Sequence, residues 1–188
     1  MNKYDDHCFN TIGVELFTKE ITIGRHTYTL QIWDTAGQER FKSLRTAFYR
    51  GCDICLLAYS VDDRSSFLNL ASWKREFLQY AEISPDSVFS FVIIGTKIDV
   101  DGKNREVSEA EAIEWCQNQD TMPYVETSAK RAINVTAAFE TAVDLWAQHE
   151  EALDNHQREF DNPTTAIHLT DDREDRDQNS FCCSAGIV

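Results

Sequence analysis

Three rhythms of apolar and polar residues run along this chain, and each predicts a different kind of element. Val14-Glu15-Leu16-Phe17-Thr18-Lys19-Glu20-Ile21 is rich in strand formers and is followed by a turn at Gly24-Arg25. Tyr28-Thr29-Leu30-Gln31-Ile32-Trp33 then alternates polar with apolar positions, so the pair reads as a hairpin. Ile54–Tyr59 and Phe89–Ile94 are short, mostly apolar runs bounded by Gly or Asp, the pattern of buried parallel strands. Between them the spacing changes to three and four. Ser65 is predicted to cap a helix with Phe67, Leu70, Trp73 and Phe77 on one face. Ser108-x-x-Glu111 is a capping box for a helix burying Ala112, Trp115 and Cys116, and Phe139, Ala142, Val143 and Trp146 form a third stripe. Strands alternating with helices predict an α/β fold, a parallel-rich sheet flanked by helices.

A length of 188 residues suits one well-buried domain. Its last part differs from the rest: residues 150–188 hold ten acids and three bases, half of the net charge of −14. Residues 1–155 are therefore expected to form the domain, and 156–188 an acidic, disordered tail carrying Cys182-Cys183. Net acidity argues against a nucleic-acid partner, which needs a basic footprint. No run approaches the roughly 18 apolar residues of a membrane span, and the first residues lack a signal-peptide core. Both point to the cytoplasm, where the six cysteines stay reduced; their spacing suggests neither a disulfide framework nor a zinc site. Cys52-x-x-Cys55 runs into an apolar stretch and reads as core.

In such folds ligands bind at the carboxyl ends of the strands, and three loops there carry chemistry. The first is Trp33-Asp34-Thr35-Ala36-Gly37-Gln38-Glu39. A strand-end aspartate can hold Mg²⁺ through water, a glycine N–H can meet a terminal phosphate, and a glutamine can orient an attacking water. The second is Thr96-Lys97-Ile98-Asp99, whose carboxylate can accept two N–H groups of guanine while the lysine stem lies along the base. Alone, this tetrapeptide reads equally well as a solvated loop. The third is Glu126-Thr127-Ser128-Ala129-Lys130, where the Ala129 N–H could meet the guanine carbonyl and Lys130 could cover the base.

With these loops in this order, the chain resembles the Rab family of small GTPases over residues 1 to about 150. Ile12-Gly13-Val14-Glu15-Leu16, Phe48-Tyr49-Arg50-Gly51-Cys52 and Leu57-Ala58-Tyr59-Ser60-Val61-Asp62 carry the likeness further. Ser43-Leu44-Arg45-Thr46 and Trp73-Lys74-Arg75-Glu76-Phe77 look like the late-endosomal (Rab nine) branch. The resemblance implies a P-loop-NTPase-like (Ras-type) fold and a GTP-binding, GTP-hydrolysing switch in vesicle and endosomal trafficking, between late endosome and Golgi, with Mg²⁺ as cofactor. It makes Thr11 a metal and γ-phosphate contact, Asp34 the metal's partner through water, Gly37 the γ-phosphate sensor and Gln38 the catalytic glutamine. Thr96, Lys97, Asp99, Ser128, Ala129 and Lys130 become the base-binding set, and Leu16, Trp33 and Phe48 the trio read by effectors. Implied partners are a guanine nucleotide, effectors, an exchange factor, a GTPase-activating protein, an escort protein and a dissociation inhibitor. Cys182-Cys183 looks like a double prenylation site that would place the protein on the cytoplasmic face of late-endosomal and Golgi membranes; two exposed, unmodified thiols are the alternative.

Three departures matter. Thr96 stands where the family has Asn, and Leu16 where it has Phe. No G-x-x-x-x-G-K-[ST] phosphate loop occurs among the seven glycines. The expectation is a domain shortened at its N-terminus, without its first strand. By resemblance that strand lies between Tyr28–Trp33 and Ile54–Tyr59, so those two should lose their pairing partner. The switch should then be impaired; a non-hydrolysing interaction protein that titrates effectors is the alternative. Five residues beyond the cysteine pair depart from the family's usual ending.

Overall fold

A computed structural model describes residues 4, 11–83, 89–160 and 180–187. The hairpin forms as expected: β1 (Val14–Ile23) and β2 (His26–Thr35) pair antiparallel from Val14 opposite Thr35 to Ile23 opposite His26. A short 3₁₀ turn (Glu39–Phe41) leads into α1 (Lys42–Thr46). Next come β3 (Ile54–Ser60), α2 (Arg64–Leu68), α3 (Leu70–Tyr80), β4 (Ser90–Thr96), α4 (Glu109–Asn118), β5 (Tyr124–Glu126), α5 (Val135–Phe160) and β6 (Ser180–Ile187). The sheet order is β1-β2-β6-β3-β4-β5, with every pairing beyond the hairpin parallel.

All seven residues of β3 are buried, as its unbroken apolar run required. Alternate side chains feed two cores. Cys55, Leu57 and Tyr59 pack with Phe67, Leu70, Phe77, Ala112 and Cys116 on one face of the sheet. Ile54, Leu56 and Ala58 pack with Leu30, Ile32, Ala138, Ala142 and Val143 on the other. The predicted helical stripes are therefore the buried ones. Ser108 caps α4 by accepting the Glu111 N–H at 3.2 Å. The cap of α2 is Asp63 rather than Ser65: its carboxylate accepts the N–H groups of Ser65 and Ser66, and a carboxylate also suits the positive end of the helix. Cys55 lies in the core, where burial pushes its thiol pKa up.

At the carboxyl end α5 continues to Phe160, and Ser180–Ile187 form a strand. β2 and β3 also keep a pairing partner. β6 lies between them, Ser180–Gly186 against Thr29–Thr35 and Cys183–Ile187 against Ile54–Ala58. The physical reason is in both edges: interior N–H and C=O groups must be satisfied, and the stretch from Ser180 to Ile187 carries no charge. The tail's acids all precede it, and the run Asp171–Asp177 lies outside the described residues.

Candidate guanine-nucleotide site

The loops after β4 and β5 meet around a cavity of about 440 Å³, within the range of small-molecule sites. Thr96, Lys97, Asp99, Ala129 and Lys130 line it, on a floor that includes Leu56, Ala58 and Phe139. The two loops are tied together. The Thr127 N–H donates to the Gly95 carbonyl at 2.7 Å, and the Ile98 N–H to the Thr127 carbonyl at 3.2 Å. A Cβ at Gly95 would stand 2.6 Å from the Tyr124 hydroxyl, so a side chain here would force the Tyr124 ring to shift. The Thr96 hydroxyl donates to the Tyr59 carbonyl at 2.7 Å, which anchors this loop to β3. Lys97 turns through a left-handed backbone (φ 63°), costly for a side-chain-bearing residue, and its ammonium stands 3.6 Å from Asp62.

Asp99 is the polar centre of this cavity. Ser128, fully buried, donates its hydroxyl to Asp99 Oδ1 at 2.5 Å and accepts the Arg131 N–H at 3.0 Å. The Ser128 bond is the main cause holding the Asp99 carboxyl below its ordinary range, with Lys130 and Arg131 adding smaller pulls. Asp99 is thus fixed as an anionic acceptor, while exposed Ala129 and Lys130 stand at the rim.

At the end of β2 the arrangement is different. The Thr11 hydroxyl donates to Asp34 Oδ2 at 2.9 Å. Asp34 Oδ1 is buried without a hydrogen-bond partner among the described residues. Burial raises the Asp34 pKa most; the Thr11 bond opposes that shift and Glu15 adds to it. A carboxylate oxygen left unmatched beside a hydroxyl fits a hydrated Mg²⁺, which binds through one or two protein groups, waters and phosphate oxygens. Among the described residues there is no cluster of three or more acids, histidines or cysteines that could hold a metal ion. Gly37 and Gln38 follow, half-buried. The Gln38 Oε1 accepts the Arg40 Nε–H at 2.6 Å, so the side-chain carbonyl is engaged with Arg40.

Arg45 escaped sequence reasoning. It is 2% exposed, and its guanidinium donates to the carbonyls of Ala36 (3.3 Å) and Gln38 (2.9 Å), holding the loop that carries Gly37. Glu76 pairs with it at 2.9 Å, and the Trp73 ring lies beneath it. An arginine on a short helix has no local signature that separates a buried clamp from a solvated charge; only the packing does.

Leu16, Trp33 and Phe48 come together on the surface. Leu16 pairs with Trp33 across the hairpin, and the rings of Trp33 and Phe48 stack with centroids 4.8 Å apart. Leu16 is 51% exposed. Cys182 and Cys183 stand apart from all of these, within β6, at the register of Gln31 and Ile32.

The Ras family model matches residues 1–148. The chain is 56% identical to the Ras-related protein Rab-9A of Homo sapiens over 154 residues, 82% of this chain and 76% of that one. It is 51% identical to Rab-9B of Mus musculus over the same shares. To the Ypt/Rab-type GTPase ypt7 of Schizosaccharomyces pombe it is 43% identical over 187 residues, 97% of this chain and 88% of that one. With its Ras-type α/β fold, the chain belongs to the Ras family of small GTPases, in its Rab branch.

Proposed function

We propose that this chain is a Rab-type switch of vesicle trafficking that reads guanine nucleotides, with late-endosomal transport as the setting its likeness to Rab-9A and Rab-9B supports. The observation that carries the reading is Asp99, held anionic by Ser128 in the cavity lined by Lys97, Ala129 and Lys130. Asp99 accepts the two N–H groups of guanine, the Ala129 N–H donates to the guanine carbonyl, and the two lysine stems cover the base. Thr11 and Asp34 are the residues that would hold Mg²⁺, which when bound neutralises charge on the phosphates. The Gly37 N–H reports the γ-phosphate. Gln38 orients the hydrolytic water once its amide leaves Arg40. The domain is taken as 1–155, followed by the acidic segment 156–188. Its regulators are those of the family: exchange factor, GTPase-activating protein, escort protein and dissociation inhibitor. Cys182 and Cys183 accept the lipids that hold the protein on late-endosomal and Golgi membranes.

These 188 residues contain no G-x-x-x-x-G-K-[ST]. The polypeptide should bind GDP at least about a thousandfold more weakly than a relative carrying the loop, about 4 kcal/mol. Titration with fluorescent GDP tests this, and nanomolar affinity overturns it. Asp99→Asn should turn the residual preference from guanine to xanthine nucleotides, because an amide sets a donor against the base's N–H groups; an unchanged preference removes Asp99 as base reader. A second reading, an interaction protein that titrates effectors without nucleotide, is favoured by the exposed surface on which Leu16 pairs with Trp33 and the Trp33 and Phe48 rings stack. Effector binding that is indifferent to added GTP would support it.

A further inference from the structure

β4 has two ends, and the base-binding loops use only one of them. At the other, about 20 Å away by the length of a seven-residue strand, lies a second cavity of about 460 Å³. Its floor is apolar: Leu78 of α3, Phe89 before the strand, Met122 after α4 and Leu145 of α5. Buried Ser90 shares a hydrogen bond with His149 Nδ1 at 3.3 Å, so the polar groups on the α5 side answer each other. Lys74 is held differently. Its side chain is only 14% exposed, and its ammonium lies over the Phe91 ring at 5.6 Å and donates to Asp120 Oδ2 at 2.8 Å. The Asp120 side chain is 86% exposed. The cation is thus built into the cavity wall, while the anion reaches it from solvent. Asp120 and Thr121 both sit in left-handed backbone, φ 65° and 54°, which is costly for a β-branched threonine. The Lys74 bond is the main cause holding the Asp120 carboxyl below its ordinary range, so the position favours a carboxylate.

We propose that this cavity binds a small monocarboxylate with an apolar aryl or alkyl body, whose carboxylate takes the place of Asp120 on Lys74 while the body lies on Leu78, Phe89, Met122 and Leu145. The volume falls in the range of small-molecule sites, and so does the make-up, an apolar floor with one placed charge. An ion pair with one partner open to water contributes little, so a carboxylate that also buries an apolar body gains what Asp120 does not. A cation would face Lys74 at close range, and a bare inorganic anion would gain nothing from the floor. Asp120 is therefore a competitor carried by the chain itself, covering Lys74 until the ligand arrives. The two charged residues then act in opposite directions: loss of Lys74 weakens the site, and loss of Asp120 strengthens it. The site stands at the opposite end of β4 from Asp99 and does not depend on the nucleotide reading.

The test uses the full chain and three probes that share one body: 4-phenylbutyrate, 4-phenylbutanol and 4-phenylbutylamine. Ligand-detected NMR titration reads affinity, and hydrogen exchange locates the site. 4-Phenylbutyrate should bind with a Kd on the order of 1 mM or tighter and at least about tenfold more tightly than the alcohol or the amine. It should slow exchange at 120–123 and 145–149, the segments that line the cavity. Lys74→Met keeps the apolar stem and removes the charge, and should weaken 4-phenylbutyrate at least about tenfold, to the level of the alcohol. Asp120→Asn keeps a residue suited to left-handed backbone and should strengthen it about threefold or more. Because Asp120 is exposed, this second variant tests the site even if Lys74→Met does not fold. Equal affinity for the three probes, tighter binding of the amine, or weaker 4-phenylbutyrate binding by Asp120→Asn overturns the carboxylate assignment. A Kd above about 10 mM for 4-phenylbutyrate, or protection confined to other segments, overturns the site itself.

Discussion

Two aspartates stand at the carboxyl ends of strands on either side of β6, and they are held in opposite ways. Asp99, after β4, takes a short hydrogen bond from Ser128 and lies near Lys130 and Arg131, so its carboxyl sits below the ordinary range. Asp34, ending β2, keeps one oxygen buried and unmatched among the described residues, and burial pushes its carboxyl up. The Asp99 end sets its carboxylate among matched partners, whereas the Asp34 end leaves one carboxylate oxygen without a partner among the described residues. The same contrast holds for the backbone around them. The loops after β4 and β5 bond directly to each other, whereas the hairpin carrying Asp34 reaches the rest of the sheet through β6.

The largest test of this contrast is to remove residues 180–188. The exposed edges of β2 and β3 should cost about 4 kcal/mol or more against a total of about 5–15, and hydrogen exchange should rise first in the hairpin. Urea denaturation and exchange mapping read both quantities. Equal loss of protection in β1–β2 and in β4–β5 would break the comparison.

Glu76→Ala should be the next largest. It leaves the buried Arg45 guanidinium without its carboxylate, and because Glu76 is partly open to solvent the cost should be about 2–3 kcal/mol. Exchange should rise at 36–38, the loop whose carbonyls Arg45 holds, and less at 96–99. A destabilisation below about 0.5 kcal/mol would mean that water replaces the pair.

The smallest effects distinguish the two aspartates by sign. Below the ordinary carboxyl value near 3.8, Asp99 still holds its charge in the folded chain, so its contribution is full above that value and is lost as pH falls through the lower folded pKa. Asp34 works the other way: between 3.8 and its raised folded pKa the native state holds the extra proton, so stability falls as pH rises through that window. Asp99→Asn should therefore lower stability at neutral pH, and Asp34→Asn should leave it unchanged or raise it, each by about 1 kcal/mol or less. Thermal melts between pH 3 and 7 read the slopes, and two variants that shift the curve in the same direction would remove the distinction.

Much of this was legible along the chain. The all-apolar run of β3 could only be a strand buried on both faces, and the Phe67–Phe77 stripe could only be a helix laid on it, because periodicity reports which faces avoid water. The three loops were equally plain, since their residue types sit in short contiguous strings. Asp34, Gly37, Asp99 and Ala129 all lie in those strings. The cap at Asp63 was missed in favour of Ser65 two residues later, because Ser and Asp both accept from a helix N-terminus and local sequence does not rank them.

What the sequence by itself determined was composition within elements: which runs are buried, which loops carry carboxylates, amides and small residues suited to a nucleotide. The tertiary structure alone decided everything that depends on partners distant in the chain. The pKa directions of Asp34 and Asp99 come from Thr11, 23 residues away, and Ser128, 29 residues away. The Arg45 clamp needs Glu76, 31 residues on. The central slot is filled by a segment more than 120 residues from β3, which the charge pattern had assigned to a solvated tail. A short uncharged run reads as tail beside seven-residue charge clusters and as strand between two open edges; only the fold supplies the edges, because backbone hydrogen bonding is satisfied by whatever chain lies within reach and carries no sequence label.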